Sequence, residues 1–247
     1  MNDSQKIIAI IQARMGSTRL PGKILKVVNG KTLLEYQLER VKQSRKIDQI
    51  IIATTVEDAD QPIIDFCEEY GIKYYRGSEN DVLSRYYETA QKYDADIIVR
   101  LTSDCPIIDP IIIDKTIQHY LDNSLIFDYV SNTVERTFPR GLDTEVFSLN
   151  ALKKAYEAAT LARDREHVTA YLYTNPEIFR IGHLTNKKDY GNNRWTVDTL
   201  EDFRLIDLIL TELYQPNKMF YMEDIINLLE KHPDWVKLNA HIEQKKI

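Results

Sequence analysis

Residues 7–23 of the chain have the sequence IIAIIQARMGSTRLPGK. The five apolar residues at its start are rich in β-branched side chains and predict a buried strand. A polar turn follows directly and holds two arginines, one lysine and two glycines. Because such a loop brings fixed cations and exposed backbone N–H groups together, it suits a polyphosphate ligand. The stretch therefore predicts a strand that leads into a phosphate-binding loop.

The spacing of this loop separates it from the common nucleotide-binding motifs. A Walker A loop has four residues between its glycines and ends in Gly-Lys-Ser/Thr, whose hydroxyl binds magnesium. Here five residues separate Gly16 from Gly22, and Ile24 follows Lys23. The loop also lacks the Gly-x-Gly-x-x-Gly pattern of dinucleotide-binding proteins. A P-loop NTPase and a dinucleotide-dependent dehydrogenase are thus disfavoured, whereas a basic solvent-exposed turn stays open as the simpler interpretation.

Length and composition indicate a soluble globular protein. The 247 residues are enough for one α/β domain with a sizeable core. With 32 basic and 38 acidic residues the net charge is −6, which argues against a nucleic-acid partner. No apolar run approaches the roughly 18 residues of a membrane span, and the polar N-terminus does not resemble a signal peptide. Cys67 and Cys105 lack the spacing of a disulfide framework or a metal site. We therefore expect a cytoplasmic protein without a membrane partner.

Strand and helix patterns alternate through the first half of the chain. Apolar β-branched runs predict strands, and amphipathic runs with Pro or Gly at their ends predict helices. The predicted strands are 7–11, 48–54, 72–75 and 96–101, and the predicted helices are 32–44, 61–70, 81–93 and 110–123. This alternation predicts an α/β fold with a parallel sheet and helices on both faces. Ligands of such sheets bind beyond the carboxyl ends of the strands, where the loops 12–23, 76–81 and 102–109 begin.

The pattern is less regular after residue 127. The predicted strands there are 127–132, 144–147, 179–184 and 194–197, and the predicted helices are 150–159, 163–174, 199–214 and 221–231. No repeat, low-complexity tract or Gly/Ser-rich linker divides the chain. We therefore predict a single domain over residues 1–247.

Two aspartates follow predicted strands and are candidates for binding a metal. Asp104 comes after the strand 96–101, and Asp198 lies where the strand 194–197 meets the next helix. Mg²⁺ usually takes one or two protein carboxylates and completes its octahedron with phosphate oxygens and water. Two aspartates opposite a basic loop would supply that arrangement of charge. Capping stays open for both, since Asp104 could cap its turn and Asp198 could be the helix N-cap with Glu201 in capping-box position.

The loop at residues 11–23 resembles the signature sequence of the sugar cytidylyltransferases, the family that includes 3-deoxy-manno-octulosonate and acylneuraminate cytidylyltransferases. Within that family the chain is most similar to the branch typified by spore coat polysaccharide biosynthesis protein F. Five further motifs are similar and follow in order, namely RGSENDVL (76–83), RLTSDCP (100–106), PRGLDTEVF (139–147), DREHVT (164–169) and VDTLED (197–202). The resemblance covers about residues 6–215.

The resemblance implies a nucleotide-diphospho-sugar transferase (GT-A/Rossmann-like) fold, with a mostly parallel sheet flanked by helices and a small β appendage. It implies a reaction in which an acceptor oxygen attacks the α-phosphate of CTP and pyrophosphate leaves. Such transfers depend on positioning and charge neutralisation more than on covalent catalysis. By the match, Arg14 and Lys23 bind the triphosphate, and Asp104 and Asp198 hold Mg²⁺ and complete the catalytic set. The implied nucleotide-binding residues are Ala13, Arg14, Gly16, Ser17, Arg19, Lys23, Arg76, Ser78, Asp81, Thr102 and Ser103.

The resemblance also divides the functions of the domain. It assigns the nucleotide to residues 1–125, and the acceptor and a subunit contact to residues 126–247. We accordingly expect CTP and a sugar or sugar-acid acceptor as ligands, and a homodimer to which the helix 163–174 contributes. Candidates for the acceptor pocket, with structural ion pairs or subunit contacts as the alternative role, are Arg140, Glu145, Arg165, Glu166 and His167. Two other functions stay open: a glycosyltransferase with an NDP-sugar donor, and a non-catalytic nucleotide-binding protein.

Overall fold

The computed structural model describes residues 5–244 and contains a central seven-stranded sheet. The strands are β1 (Ile7–Gln12), β2 (Val27–Val28), β3 (Lys31–Thr32), β4 (Gln49–Thr55), β5 (Lys73–Gly77), β6 (Ile97–Thr102), β7 (Tyr129–Ser131), β8 (Glu145–Ser148) and β9 (Ile181–His183). The central sheet has the order β5-β4-β1-β6-β8-β7-β9, and β2 and β3 form a separate two-stranded ribbon.

Helices connect most of the strands. They are α1 (Leu33–Val41), α2 (Gln61–Glu69), α3 (Val82–Lys92), α4 (Pro110–Asp122), α5 (Leu149–Ala158), α6 (Ala162–Glu166), α7 (Ala170–Thr174), α8 (Leu200–Leu213), α9 (Met222–Lys231) and α10 (Pro233–Val236). Short 3-10 turns cover Lys23–Leu25 and Asp58–Asp60. None of these helices combines the length and the apolar character needed to cross a membrane.

The strand directions agree with the predicted fold class. Strands β5, β4, β1 and β6 are parallel, and β8 runs antiparallel to β6. Strand β7 pairs antiparallel with β8, and β9 pairs parallel with β7. The predicted α/β fold with a mostly parallel sheet is therefore confirmed. The strands of the second half extend this sheet, and β2 and β3 form a separate ribbon that the sequence patterns do not predict.

Strand β1 lies at the centre of the core. Ile7, Ala9 and Ile11 pack on one face with side chains of α1, α2 and α4, whereas Ile8 and Ile10 pack on the other face with α3 and α5. All five side chains are buried, and burial of one isoleucine contributes about 1.5–3 kcal/mol. Because both faces of β1 are covered, the loop that follows this strand starts from a rigid position.

A third apolar cluster holds the segment 194–198 against α8 and α9. Trp195 and Val197 are buried in this cluster. The predicted strand 194–197 is wrong, since Arg194 forms an isolated bridge with Arg140 and the residues after it pack against helices. All four residues 194–197 are buried, and the apolar side chains of Trp195 and Val197 alternate with polar ones, which gives the sequence the pattern of a strand.

The predicted helix 163–174 is also wrong as a single element. Helix α6 ends at Glu166 and α7 begins at Ala170, and Val168 between them has a φ of 53°. Val168 is fully buried, and the hydroxyl of Thr169 donates to the carboxylate of Glu145 at 3.1 Å. Contacts with the core therefore accompany a break in the helix over residues 167–169.

Candidate active site

A cavity of about 660 Å³ opens at the carboxyl ends of β1 and β6. Its walls include the loop after β1, residues 102–105 after β6, and Thr196 and Asp198 of the segment 194–198. Ten of the residues predicted for the site line it, namely Ala13, Arg14, Gly16, Ser17, Arg19, Lys23, Thr102, Ser103, Asp104 and Asp198. The fold thus brings together groups that are far apart in the sequence.

The loop after β1 is tied to its surroundings at both ends. The backbone N–H of Ala13 donates to a carbonyl of β4 at 3.1 Å, and that of Met15 donates to Oδ1 of Asp60 at 2.6 Å. At the far end, the N–H of Gly22 donates to the carbonyl of Met15 at 3.1 Å. Gly22 has a φ of 64°, a left-handed conformation that glycine adopts without strain. The loop therefore fixes the backbone of Lys23, which follows directly.

Lys23 connects this loop to the two aspartates. Its Nζ donates to Oδ2 of Asp104 at 3.2 Å and to Oδ1 of Asp198 at 2.8 Å. The lysine side chain is 12% exposed, and those of Asp104 and Asp198 are 22% and 13% exposed. The second oxygen of Asp104 accepts a hydrogen bond from the Thr102 hydroxyl at 2.5 Å. One ammonium group therefore bridges both candidate metal ligands.

Asp198 is also bound by two guanidinium groups. Its Oδ2 lies 3.0 Å from Nη2 of Arg19 and 2.7 Å from Nη2 of Arg194. Arg194 in turn donates from Nε to the buried carboxylate of Asp202 at 2.9 Å. Asp202 forms the capping box of α8 with Thr199, which is the N-cap. The alternative in which Asp198 caps this helix is therefore wrong, and its carboxylate lines the cavity.

Burial and charge act in opposite directions on the ionisable groups of this cluster. Burial alone would raise the pKa of Asp104, but the Lys23 ammonium and the hydrogen bonds to the carboxylate lower this pKa to about 2. Burial would lower the pKa of Lys23, whereas Asp104 and Asp198 raise it above its usual value of 10.5. Asp104 and Lys23 are therefore both charged at neutral pH.

The two carboxylates have the donor chemistry of a divalent-cation site. Lys23 bonds one oxygen of each aspartate, so these two oxygens converge on a single cation position. Within residues 5–244, no group of three or more His, Cys, Asp and Glu side chains is arranged to hold a metal. Mg²⁺ needs only one or two protein carboxylates when phosphate oxygens and water complete its shell. The residues therefore fit a metal that arrives with a phosphate ligand.

Comparison with known proteins identifies the family. A sequence profile described as Cytidylyltransferase matches residues 8–246. The chain belongs to the cytidylyltransferase family. It is 40% identical to an uncharacterised protein of Methanocaldococcus jannaschii, with 97% of each chain covered. It is 34% identical to the spore coat polysaccharide biosynthesis protein SpsF of Bacillus subtilis, with 95% of this chain and 97% of that protein covered.

A solved structure gives the same result for the fold of this cytidylyltransferase. The structure of a cytidylyltransferase from Leptospira borgpetersenii matches with a TM-score of 0.90 and 35% sequence identity, covering 98% of this chain and 100% of the other. The family resemblance and the fold class predicted from the sequence are thereby confirmed. The match favours nucleotidyl transfer over the glycosyltransferase and non-catalytic alternatives.

Three of the predicted nucleotide-binding residues lie outside the cavity wall of the cytidylyltransferase. The guanidinium of Arg76 donates to backbone carbonyls of residues 55–57. The hydroxyl of Ser78 accepts from the backbone N–H of Asp81 at 3.0 Å. Asp81 is the N-cap of α3, and its other oxygen is ion-paired with Arg165, an acceptor-pocket candidate that also lies outside the wall. These contacts stabilise the turn before α3, because a carboxylate next to a helix start satisfies its free N–H groups.

A polar network on one side of the cavity joins side chains from both halves of the chain. Arg100 of β6 is ion-paired with Glu145 of β8 and also donates to Oε1 of Gln12 at 3.1 Å. Glu145 accepts from the hydroxyl of Tyr129 at 2.9 Å and from that of Thr169 at 3.1 Å. Nε of Arg100 is buried without an acceptor. The ion pair and the other hydrogen bonds nevertheless connect these side chains, so this network gives the cavity a fixed floor.

Among the arginines on the acceptor side of the cavity, Arg140 has the charge that is least neutralised by nearby carboxylates. The neighbouring Arg136 is held by Asp143 through two bonds of 2.7 and 3.0 Å. Arg140 lines the cavity and forms no salt bridge with a carboxylate of residues 5–244. Burial, with the positive charges of Arg136 and Arg194, lowers the pKa of Arg140. An anionic group of a ligand would therefore be favoured beside it. Glu145, Glu166 and His167 line the cavity as well.

Sequence patterns give little indication of two residues that shape the cavity. Asp60 is buried and holds the loop through Met15, yet it lies in a 3-10 turn without a motif. Arg85 of α3 lines the cavity, is 1% exposed, and donates from Nη1 to the carbonyl of Ser78 at 2.6 Å. Its Nε is buried without an acceptor. Arg85 follows Val82 by three positions and therefore lies on the apolar face of α3. A charged residue on an apolar helix face is the sequence signal that could identify Arg85.

Proposed function

We propose that this cytidylyltransferase transfers CMP from CTP to a hydroxyl oxygen of a sugar or sugar acid and releases pyrophosphate. One observation carries the proposal: Lys23 of the basic loop and the aspartates Asp104 and Asp198 meet at one point of the cavity. In a cytidylyltransferase this point is where positive charge would neutralise a triphosphate. The name of the Bacillus subtilis relative supports a role in the synthesis of a surface polysaccharide.

Each group of the site has a role that follows from its chemistry. Arg14, Arg19 and Lys23 supply cations for the phosphate oxygens, and the Ser17 hydroxyl and the loop N–H groups add donors. Asp104 and Asp198 would hold Mg²⁺, which neutralises charge on the triphosphate when it is bound. Transfer then depends on holding the acceptor oxygen in line with the α-phosphate and the leaving pyrophosphate.

The acceptor pocket is assigned to the second half of the chain. Arg140 supplies a cation without a salt bridge to residues 5–244 at the cavity wall, and the Arg100–Glu145 pair supplies a polar floor. These features support an acceptor with several hydroxyl groups and an acidic group. Arg76, Ser78 and Asp81 keep a proposed role in shaping the nucleotide side through the turn that they stabilise.

The test is release of pyrophosphate from CTP with a panel of sugars and sugar acids, with Mg²⁺ and then Mn²⁺ as the metal. Asp104→Asn and Asp198→Asn are expected to lose at least about a hundredfold in turnover, a common cost of removing one group that stabilises transition-state charge. Asp207→Asn on α8 is the matched control, since Asp207 does not line the cavity. Full turnover in both site variants would refute the assignment of the aspartates.

Two comparisons separate the proposal from its alternatives. A glycosyltransferase would be stabilised against thermal unfolding by an NDP-sugar and not by CTP. A non-catalytic protein would bind CTP without releasing pyrophosphate with any acceptor. Stabilisation by CTP together with acceptor-dependent pyrophosphate release supports the cytidylyltransferase reaction.

We also propose that the protein is a cytoplasmic homodimer, with the region of α6 and α7 at the interface. This region contains Leu161, an apolar side chain that is 60% exposed in the single chain. Sedimentation at micromolar concentration is expected to give twice the mass of the chain, and Leu161→Glu is expected to shift the protein towards the monomer. A wild-type monomer in that experiment would contradict the proposal.

A further inference from the structure

Every carboxylate oxygen of Asp104 and Asp198 has a hydrogen-bond or ion-pair partner within the protein. Oδ1 of Asp104 accepts from Thr102, and Oδ2 accepts from Lys23. Oδ1 of Asp198 accepts from Lys23, and Oδ2 is bound by guanidinium groups. The two oxygens that converge on one cation position are the two that Lys23 bonds. The Lys23 ammonium therefore lies where a metal ion would bridge the aspartates.

The charges around this position are balanced. Three cations and three carboxylates form one connected cluster, namely Arg19, Lys23 and Arg194 with Asp104, Asp198 and Asp202. A divalent cation that entered such a cluster would meet no net negative charge and would face the ammonium at close range. It would also have to replace two hydrogen bonds that are largely shielded from solvent. The cluster therefore disfavours a metal as long as Lys23 stays between the aspartates.

A triphosphate would give Lys23 a second set of partners. The backbone of Lys23 is fixed by the loop, but its ammonium lies at the end of a flexible four-carbon stem. Arg14 and Ser17 lie earlier in the same loop and line the same cavity. A triphosphate bound along this loop presents several negatively charged oxygens to the lysine. Movement of Lys23 towards them would free one oxygen of each aspartate at the same time.

We propose that Lys23 is a tethered counterion that blocks the divalent-cation site until a triphosphate binds. The inference rests on the proposed function, since it takes Asp104 and Asp198 as the metal ligands. It makes metal and nucleotide binding mutually dependent, because each ligand favours the same position of Lys23. The metal alone then binds weakly, and the nucleotide opens its site.

The test measures metal and nucleotide binding separately, without turnover. Mn²⁺ binding in the absence of nucleotide is followed by the electron paramagnetic resonance of free Mn²⁺, for the wild type and for Lys23→Met and Lys23→Gln. Both variants are expected to bind Mn²⁺ more tightly by about tenfold, within the usual range of coupling between sites. CTP binding with EDTA present, measured by calorimetry, is expected to weaken by about tenfold in the same variants. A merely structural role of Lys23 would not move the two affinities in opposite directions.

Two control variants test whether the change in Mn²⁺ affinity comes from the contact of Lys23 with the aspartates. Lys26→Met changes a nearby lysine that contacts the ring of Phe203 and neither aspartate, so both affinities should equal those of the wild type. The double variant Lys23→Met/Asp198→Asn should lose the gain in Mn²⁺ affinity. The proposal is overturned if Lys23→Met and Lys23→Gln bind Mn²⁺ no more tightly than the wild type, or if the double variant keeps the gain. If Lys23→Met does not fold, Lys23→Gln carries the test.

The failure of this proposal is distinguishable from the failure of the proposed function. Absence of pyrophosphate release by the wild type would count against the cytidylyltransferase reaction. Unchanged Mn²⁺ affinity in the two Lys23 variants would count against the counterion alone, because that measurement needs neither CTP nor an acceptor.

Discussion

Replacement of Gly141 by alanine tests how the segment that carries Asp198 is positioned. Gly141 has a φ of +101° and lies against this segment. A Cβ at Gly141 would lie 2.6 Å from the carbonyl carbon of Trp195 and 2.8 Å from the backbone nitrogen of Thr196. The neighbouring Arg140 carbonyl accepts from the N–H of Trp195 at 2.7 Å. The two chain segments are therefore in backbone contact, with no room for a side chain at Gly141.

The magnitude follows from two separate costs. A non-glycine residue in a sparsely populated region of positive φ costs about 1–3 kcal/mol. The overlap adds about 1–3 kcal/mol of overpacking, since backbone atoms cannot rotate away as a side chain can. Gly141→Ala is therefore expected to destabilise the protein by roughly 2–6 kcal/mol, a large fraction of the stability of a typical domain.

Gly71→Ala is the matched control for this experiment. Gly71 also has a positive φ, of +62°, but a Cβ there meets nothing within 4 Å. Gly71→Ala is therefore expected to destabilise the protein by the conformational cost alone, about 1–2 kcal/mol. Urea denaturation of both variants and the wild type gives the comparison. A loss of stability in Gly141→Ala no larger than that in Gly71→Ala would refute the argument that close backbone packing holds the segment.

Three further predictions concern the cavity. Asp60→Ala leaves the N–H of Met15 without its acceptor and should cost about 1–3 kcal/mol by urea denaturation while raising the KM for CTP. The folded-state pKa of Asp104 lies near 2, below the ordinary value of 3.8. Its ionisation therefore stabilises the protein fully above about pH 4, and this contribution is lost as the pH falls towards 2. Urea midpoints of the wild type and Asp104→Asn should accordingly converge across that interval, and a constant difference would contradict the assignment. Arg85→Met should weaken CTP binding in calorimetry more than Arg204→Met, an exposed arginine on α8; equal affinities would show that Arg85 acts on the fold alone.

The sequence predicted the first half of the fold well because its signals are local. Strands β1, β4 and β6 are buried on both faces, so each appears as a continuous apolar run. The helices between them carry one apolar stripe and clear end signals, such as the capping box of α1 formed by Thr32 and Glu35. Elements of this kind need no knowledge of distant residues.

The second half was predicted less well because distant contacts decide its local structure. The chain at Val168 leaves the helical conformation where the side chain is buried in the core and Thr169 bonds Glu145. The segment 194–197 has strand-like alternation because α8 and α9 cover Trp195 and Val197. Helix propensity is a weak prior, and contacts of this kind override it.

The site shows the same division between local and distant information. Residue type and loop position were enough to select Asp104, Asp198 and Lys23 as residues that line the cavity. The contact of Lys23 with both aspartates depends on pairs that are 81 and 175 positions apart. Arg85 and Asp60 bond the backbone of other segments. The placement of Arg85 on the apolar face of α3 is the one local signal, and it does not identify the partner.

Helix capping decides which aspartates remain available for a ligand. Asp81 immediately precedes α3 and accepts from the N–H of Ser84 at 2.9 Å, so the helix start uses its carboxylate. Asp104 also follows a strand, but α4 begins six residues later and Asp109 is its N-cap. Asp198 precedes α8 closely, yet Thr199 takes the N-cap position.

This comparison gives a physical rule for aspartates at the carboxyl ends of strands. The carboxylate faces the cavity when another residue satisfies the free N–H groups of the following helix. When no other residue does so, the carboxylate itself caps the helix. Thr199→Ala removes the side chain that caps α8. The free N–H groups of the helix would then attract the Asp198 carboxylate, which should turn towards the helix start. If the rule holds, this variant loses metal or nucleotide affinity although Thr199 does not itself line the cavity. Unchanged affinities in Thr199→Ala would mean that Lys23, Arg19 and Arg194 hold Asp198 in the cavity without help from the cap.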